Sequence, residues 1–583
     1  MQSASLEMSG SAQSTRSTPQ PQLDEALSIL GEQALVWSRL PAAERASLLR
    51  ACVPRLLQVA PEWVAAACQA KGLRLDGPEA SEEWLAGPMV TMRALRLYGR
   101  TLDEIQKHGR PQLPSGAVRT ADDGRVEIQV MPGDAFDKAL NAGFTGSVHL
   151  LPGISAEQAL ARQASHYRQP EASRKPGVSL ILGAGNVASI PPADALFKLL
   201  QEGKVCLIKL NPVNEYLGPF YERAFQPLVE RGFLRFAYGG ADVGSYLSYH
   251  PQIADVHITG SDRTHDLIVW GPPGPERERR KAENDPLLKK EITSELGCVT
   301  PVMVAPAEYS PSELRFLAEN IATQVVNNAS FNCNAAKVLV LSEGWAQREA
   351  LWTELRDILS SLPPRRAYYP GARARFEQLT AGRSQSQVSR IGREGAGELP
   401  WTILRGLDAT SSDPLFTTEP FCSILSEVTL SARDPAEFIR DAARFSNDKL
   451  WGTLSCSLIV HPSLEERTEV RSALAAAVRE LRYGAVGINH WPGVVYGSML
   501  LPWGGHSSAT LKDVQSGIGF VHNTPMLEGI EKTVLRGPLT VSPKPPWFVT
   551  HKQAHKVGER LVRFEAAPGW LQVPGIALLA MRG

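Results

Sequence analysis

The chain has 583 residues, 43% of them apolar and 21% charged, which is enough for two or three domains with separate cores. Lys+Arg and Asp+Glu balance at 61 each, so no global field is available to hold a nucleic-acid backbone or an anionic membrane surface. No apolar run reaches the length of a membrane span, the start MQSASLEMSGSAQSTRSTPQPQ has no apolar signal core, and the seven cysteines (Cys52, Cys68, Cys206, Cys298, Cys333, Cys422, Cys456) are odd in number and unpaired in spacing. A cytoplasmic protein without disulfides or structural zinc is expected.

Residues 1–21 are rich in Ser, Gln and Pro and lack apolar periodicity, which predicts a disordered tail. From Leu23 to about Gly109 apolar residues recur at helical spacing, so residues 22–123 read as a helical region. Residues 124–154 hold two alternating segments, VEIQV and SVHLL, around a helical insert. A two-stranded ribbon of this kind is marginal alone and predicts an arm that joins subunits into a homo-oligomer, at least a dimer.

Between Pro176 and Trp270 continuous apolar runs alternate with helical segments: VSLILGAG, PPADALFKLLQEG, KVCLIKLNP, EYLGPFYERAFQPLVERG, FLRFAYGG, ADVGSYLSYHP, ADVHITG and SDRTHDLIVWG. That alternation predicts an α/β class with a doubly wound parallel sheet, assigned to residues 155–294. The insert GPPGPERERRKAENDP (271–286) reads as a solvated loop. A second α/β alternation begins at KKEITSEL and VTPVMVAP and runs to Asn489, giving a second domain over 295–489. Residues 490–583 form a closing segment, and 523–583 carry PKPPW and the amphipathic run GERLVRFEAAPGWLQV without a clear reading.

Cys333, in NNASFNCNAAKVLV, falls in a turn between a predicted helix and a strand. A thiol there can sit at a cleft mouth with backbone N–H groups nearby to stabilise a thiolate. The surrounding segments resemble the aldehyde dehydrogenase superfamily, in order, from about residue 24 to about 520. GAGNVASIPPADALFKLLQEGKVCLIKLNP is similar to the family's Asn loop, helix and Lys strand, with Asn186 and Lys209 separated by 209 − 186 = 23 residues. DVHITGS resembles the TGS motif, EITSELGCVTPVMVAP the ELGG segment, TTEPFCSIL the E-x-F motif, and NDKLWGTLS, GAVGINH and LPWGGHSSA the closing motifs.

The resemblance implies an aldehyde dehydrogenase-like fold, with a doubly wound cofactor domain, a catalytic α/β domain and an oligomerisation arm. It further implies an NAD(P)-dependent enzyme that oxidises an aldehyde to a carboxylic acid. Cys333 would be the nucleophile, forming a thiohemiacetal and then a thioester, Asn186 an oxyanion donor, and Glu295 the base for hydrolysis. NAD or NADP would be held by Lys209, Gly260, Ser261, Glu419 and Phe421, without a GxGxxG fingerprint. A CoA-linked acyl-CoA reductase or acylating dehydrogenase is the alternative, and a catalytically silent protein of the same fold a second one. The sequence departs from the family at Ser330–Phe331–Asn332 before the nucleophile, at His265 in place of a glycine, at Cys298 in ELGC, and at Pro212, which leaves a choice between NAD and NADP open.

Overall fold

The protein is described by a computed structural model over residues 15–121 and 123–583. Most of the predicted tail lies outside the described residues, but its end is tied down. Thr15 donates its backbone N–H to Glu215 Oε1 at 2.7 Å, Thr18 donates to the Tyr238 carbonyl, and a helix begins at Gln20. Pro21 opens that helix, where a missing N–H costs nothing.

Three long helices, Gln20–Arg39, Ala42–Lys71 and Val90–His108, make up the predicted helical region. The first lies against the five-stranded sheet described below, and its Trp37 indole donates to the Leu199 carbonyl at 2.9 Å. The chain then forms β1 (Val118–Thr120), β2 (Val126–Met131), a short helix Ala135–Leu140 and β3 (Thr145–Leu150), the expected ribbon with an extra edge strand.

Five parallel strands follow: β4 (Val178–Leu182), β5 (Val205–Lys209), β6 (Leu234–Ala237), β7 (Ile253–Thr259) and β8 (Glu291–Glu295), in the order β6-β5-β4-β7-β8. VSLIL and VCLIK are buried along their whole length, as a sheet covered on both faces requires. Because β8 pairs with β7, KKEITSEL closes this first sheet, and the second alternation starts only after Glu295. The insert after β7 is also not a loop: Pro275–Glu283 is a helix with no buried residue, held by pairs such as Arg280–Glu276 at 2.9 Å and ended by Asn284 in the left-handed region.

The second part contributes β9 (Thr300–Val304), β10 (Ala336–Ser342), β11 (Arg365–Arg366), β12 (Val388–Ile391), β13 (Glu398–Leu399), β14 (Trp401–Leu407), β15 (Ile424–Leu430), β16 (Ser455–Ile459), β17 (Ala485–Ile488) and β18 (Ile530–Arg536). Apart from the β11–β13 pair, these strands join the ribbon in one eleven-stranded sheet, ordered β1-β2-β3-β18-β17-β16-β9-β10-β15-β14-β12. The ribbon therefore docks on β18 of its own chain, antiparallel, with Val534 opposite Ser147. The closing segment adds helices Ala554–Ala566 and Val573–Ala580. Among the described residues no helix is long and apolar enough to cross a membrane.

Candidate functional site

The C-terminal edge of the five-stranded sheet gathers several of the predicted residues. Leu182 faces Lys209 on one side and Ile258 on the other, while Thr259 faces Glu295. The loop after β4 carries Asn186, the end of β5 carries Lys209, the turn after β7 carries Gly260 and Ser261, and Glu295 is the last residue of β8. In parallel α/β sheets this edge is where ligands bind, because every crossover leaves its strand there.

Cys333 comes to that edge from the other sheet. It sits between the helix Pro311–Val326 and β10, half-buried, and its thiol donates to Glu295 Oε1 at 3.0 Å. Burial and the neighbouring carboxylate both push the thiol well above its usual range, and burial raises the Glu295 carboxyl as well. The thiol is thus hydrogen-bonded to a carboxyl rather than cradled by backbone N–H groups. Among the described residues the Cys333 backbone N–H has no hydrogen-bond acceptor. Asn186 lies beside the same turn and spends one amide N–H on the Phe331 carbonyl at 2.8 Å.

The turn is unusual in its backbone. Asn328, Ala329 and Ser330 all have φ between 54° and 70°, a left-handed conformation that side chains with a Cβ rarely adopt in sequence. A buried polar cluster holds it. The Asn328 N–H donates to Glu82 at 2.9 Å, and its side-chain oxygen accepts from Lys71 at 3.1 Å and from the Tyr368 hydroxyl at 2.8 Å. Lys71 is paired with Glu83 at 2.8 Å, Glu82 with Arg365, and Lys337 donates to the Ser330 carbonyl at 2.9 Å. Sequence reasoning missed all of these residues; the density of Asn around Cys333 was the one visible signal.

The remaining predicted residues lie on or near the same edge. Lys209 is buried with no ion-pair partner among the described residues, and burial brings its ammonium down to about 8. Gly260 and Ser261 are exposed at the N-terminus of the helix Asp262–Trp270, where Ser261 accepts the Thr264 N–H at 3.2 Å and the free N–H groups favour an anion. His265, in the glycine position, is fully buried on that helix and contacts Asp266, whereas Arg263 stays in solvent.

Glu419 reaches toward the ELGC segment so closely that a Cβ on Gly297 would lie 2.0 Å from its Oε2 and would push that carboxyl aside. Its carboxyl is raised by burial to about 7, and Oε1 has no hydrogen-bond partner among the described residues. Phe421 packs edge-on against Tyr369 and tilted against Phe331 of the Cys333 turn, with ring centres 4.9 Å and 5.6 Å apart. Cys298 is fully buried and donates weakly to the Ser455 carbonyl, a packing position.

No family profile matches the chain. Among solved structures it is similar to the aldehyde dehydrogenase KauB from Pseudomonas aeruginosa, at 17% identity and a TM-score of 0.58 over 89% of each chain. It is similar to an NAD-dependent aldehyde dehydrogenase from Sinorhizobium meliloti, at 18% identity and 0.57 over 93% of this chain and 92% of that one. An NADP-dependent glyceraldehyde-3-phosphate dehydrogenase from Bacillus halodurans, crystallised with NADP, matches at 16% identity and 0.57 over 91% and 95%. The likeness is one of architecture, and the fold of this chain is that of the aldehyde dehydrogenases.

Proposed function

We propose that the protein oxidises an aldehyde to a carboxylic acid through a thioester on Cys333, with NAD or NADP as the oxidant. The observation that carries this reading is the 3.0 Å hydrogen bond from the Cys333 thiol to Glu295 Oε1 across the cleft between the two sheets. Glu295 takes the thiol proton as sulfur attacks the carbonyl carbon, and the tetrahedral oxyanion is met by the Cys333 N–H and the second N–H of the Asn186 amide. The dinucleotide, once bound, supplies the hydride acceptor. Glu295 then gives up the thiol proton to solvent, and as a carboxylate it takes a proton from the water that attacks the thioester. The acid leaves as the C–S bond breaks and the sulfur regains a proton.

The dinucleotide would lie along the sheet edge, with Lys209 and Glu419 on its ribose hydroxyls, Gly260 and Ser261 by its phosphates, and Phe421 by the nicotinamide. The orphaned Oε1 of Glu419 and the unpaired ammonium of Lys209 support that placement, since a buried polar group without a partner costs free energy that a ligand hydroxyl recovers. The test is absorbance of reduced cofactor with an aldehyde and either NAD or NADP, run with and without CoA, on the wild type and on Cys333→Ala. Turnover without CoA that Cys333→Ala abolishes supports the proposal. A strict CoA requirement assigns the acyl transfer to a thiol acceptor instead, and no reduction of either cofactor by any aldehyde leaves a silent protein with this fold.

A further inference from the structure

The cavity that reaches Cys333 is much larger than the reacting atoms need. It encloses about 390 Å³, and its wall includes Cys333, Glu295 and Trp503 as well as Leu561, Val573 and Ile576 of the C-terminal extension. Between these two regions it passes Met89, Val187, Tyr496, Leu140, Phe144 and Trp547, so the passage is lined chiefly by hydrocarbon and ring faces.

Apart from Glu295 at the reacting end, the charged side chains that border it already have partners. Lys71 is paired with Glu83 at 2.8 Å, Glu82 with Arg365, and Arg93 with Asp137 at 2.7 Å and with Glu565 at 2.8 Å. Lys544 lies 3.1 Å from Glu319. An ionised group entering the passage would meet no free counter-charge and would lose its hydration, so the passage selects for an uncharged chain.

The distal wall is built, not a loose end. Glu565 on the helix Ala554–Ala566 is held by Arg93 and by Arg96 at 2.7 Å, and Phe136 of the arm insert packs on Phe564 and Trp570 with ring centres 5.5 Å and 4.7 Å apart. The wholly apolar helix Val573–Ala580 then roofs the chamber with Ile576 and Ala577 on its lining face. Those sixty or so closing residues thus acquire a role that the reaction chemistry alone does not require of them.

We propose that this passage receives the unbranched hydrocarbon chain of a long-chain aliphatic aldehyde, with the carbonyl at Cys333 and the tail under the helix Val573–Ala580. The proposal rests on the reading of Cys333 as the nucleophile. Its test is kcat/KM for the full chain across straight alkanals from acetaldehyde to dodecanal, together with displacement of a fluorescent long-chain probe by dodecanol or butanol, which needs no turnover. Each methylene that enters the passage should raise kcat/KM by roughly fourfold, the equivalent of about 0.8 kcal/mol of hydrocarbon burial. Ala577→Trp, which fills the chamber, should lower the preference for dodecanal over propanal at least tenfold. If that variant does not fold, Ile576→Ala, which enlarges the same chamber, should move the optimum to a longer chain.

A flat alkanal series with no displacement by dodecanol overturns the proposal while leaving aldehyde oxidation standing. Displacement by dodecanol but not butanol, with no alkanal oxidised, supports the hydrocarbon passage and overturns the reaction assigned to it. Neither oxidation nor displacement overturns both.

Discussion

Burial raises both Cys333 and Glu295, and they share one hydrogen bond, so in the proposed reaction the thiol proton moves to the carboxylate as sulfur attacks. Glu295 must be ionised to accept it. Because burial lifts that carboxyl above the ordinary range near pH 4, the acid limb of kcat/KM should lie above that range, with activity lost as pH falls through the raised value. Glu295→Gln should remove the limb, lower turnover by about a hundred- to ten-thousandfold, and slow the first burst of reduced cofactor. A stopped-flow burst of undiminished rate would confine Glu295 to the hydrolytic step. The residues proposed to hold the dinucleotide carry their own pH signature. Glu419 would accept hydroxyl hydrogen bonds as a carboxylate, above about 7, and Lys209 would donate as an ammonium, below about 8. Dinucleotide affinity, measured by titration calorimetry, should therefore be greatest between those values and weaken on both sides, and Glu419→Gln should abolish the lower limb.

At the scale of elements, the turn before Cys333 is a strained segment clamped from outside. Three successive left-handed residues with side chains cost on the order of 1–3 kcal/mol each, and the cluster around Asn328 offsets that cost. Asn328→Ala removes the clamp at its centre and should lower kcat/KM by about a hundredfold through misplacement of sulfur, while an unrelated surface probe of folding changes little. Lys71→Met is a different perturbation. It leaves Glu83 buried without its partner and should lower stability by about 3–5 kcal/mol in urea denaturation.

The parallel strands and crossover helices were legible because strands buried on both faces are continuous apolar runs, as VSLIL and VCLIK are. The helix Pro275–Glu283 was not, since it buries no face and so has no apolar period to read; its i,i+4 ion pairs form it instead. Strand β18 was hidden for the opposite reason. Its sequence IEKTVLR looks half-exposed, yet Lys532 is buried because its ammonium donates to the Val478, Arg479 and Leu481 carbonyls at the end of the helix Thr468–Glu480. In the site, Cys333, Glu295 and Asn186 were readable as motif residues that the fold brings to one turn. Lys71, Glu82, Glu83 and Arg365 were not, because lone charges on helices or short strands look like a solvated face until a distant segment covers them.

The whole molecule raises the question of assembly. A homo-oligomer was expected from the ribbon because isolated ribbon edges and an apolar face need a partner. In the structure β18 supplies that partner within the chain, and the C-terminal helices cover the arm insert through Phe136, Phe564 and Trp570. The two ends of the large sheet are β1, three residues long, and β12, four residues long and paired only to β14, so both open edges are too short to template a strong contact with another chain. If this pairing in cis suffices, light scattering at micromolar concentration should give a mass near 63.5 kDa. A mass of twice that value would leave two possibilities: association through another surface, or exchange of the ribbon between chains. A pair of cysteines separates them. Ser147→Cys with Val534→Cys places two thiols directly opposite each other on β3 and β18, within the reach of a disulfide. Oxidation should produce a crosslinked monomer on a non-reducing gel; a covalent dimer would show that the ribbon closes the sheet of a neighbouring chain and would overturn the cis arrangement.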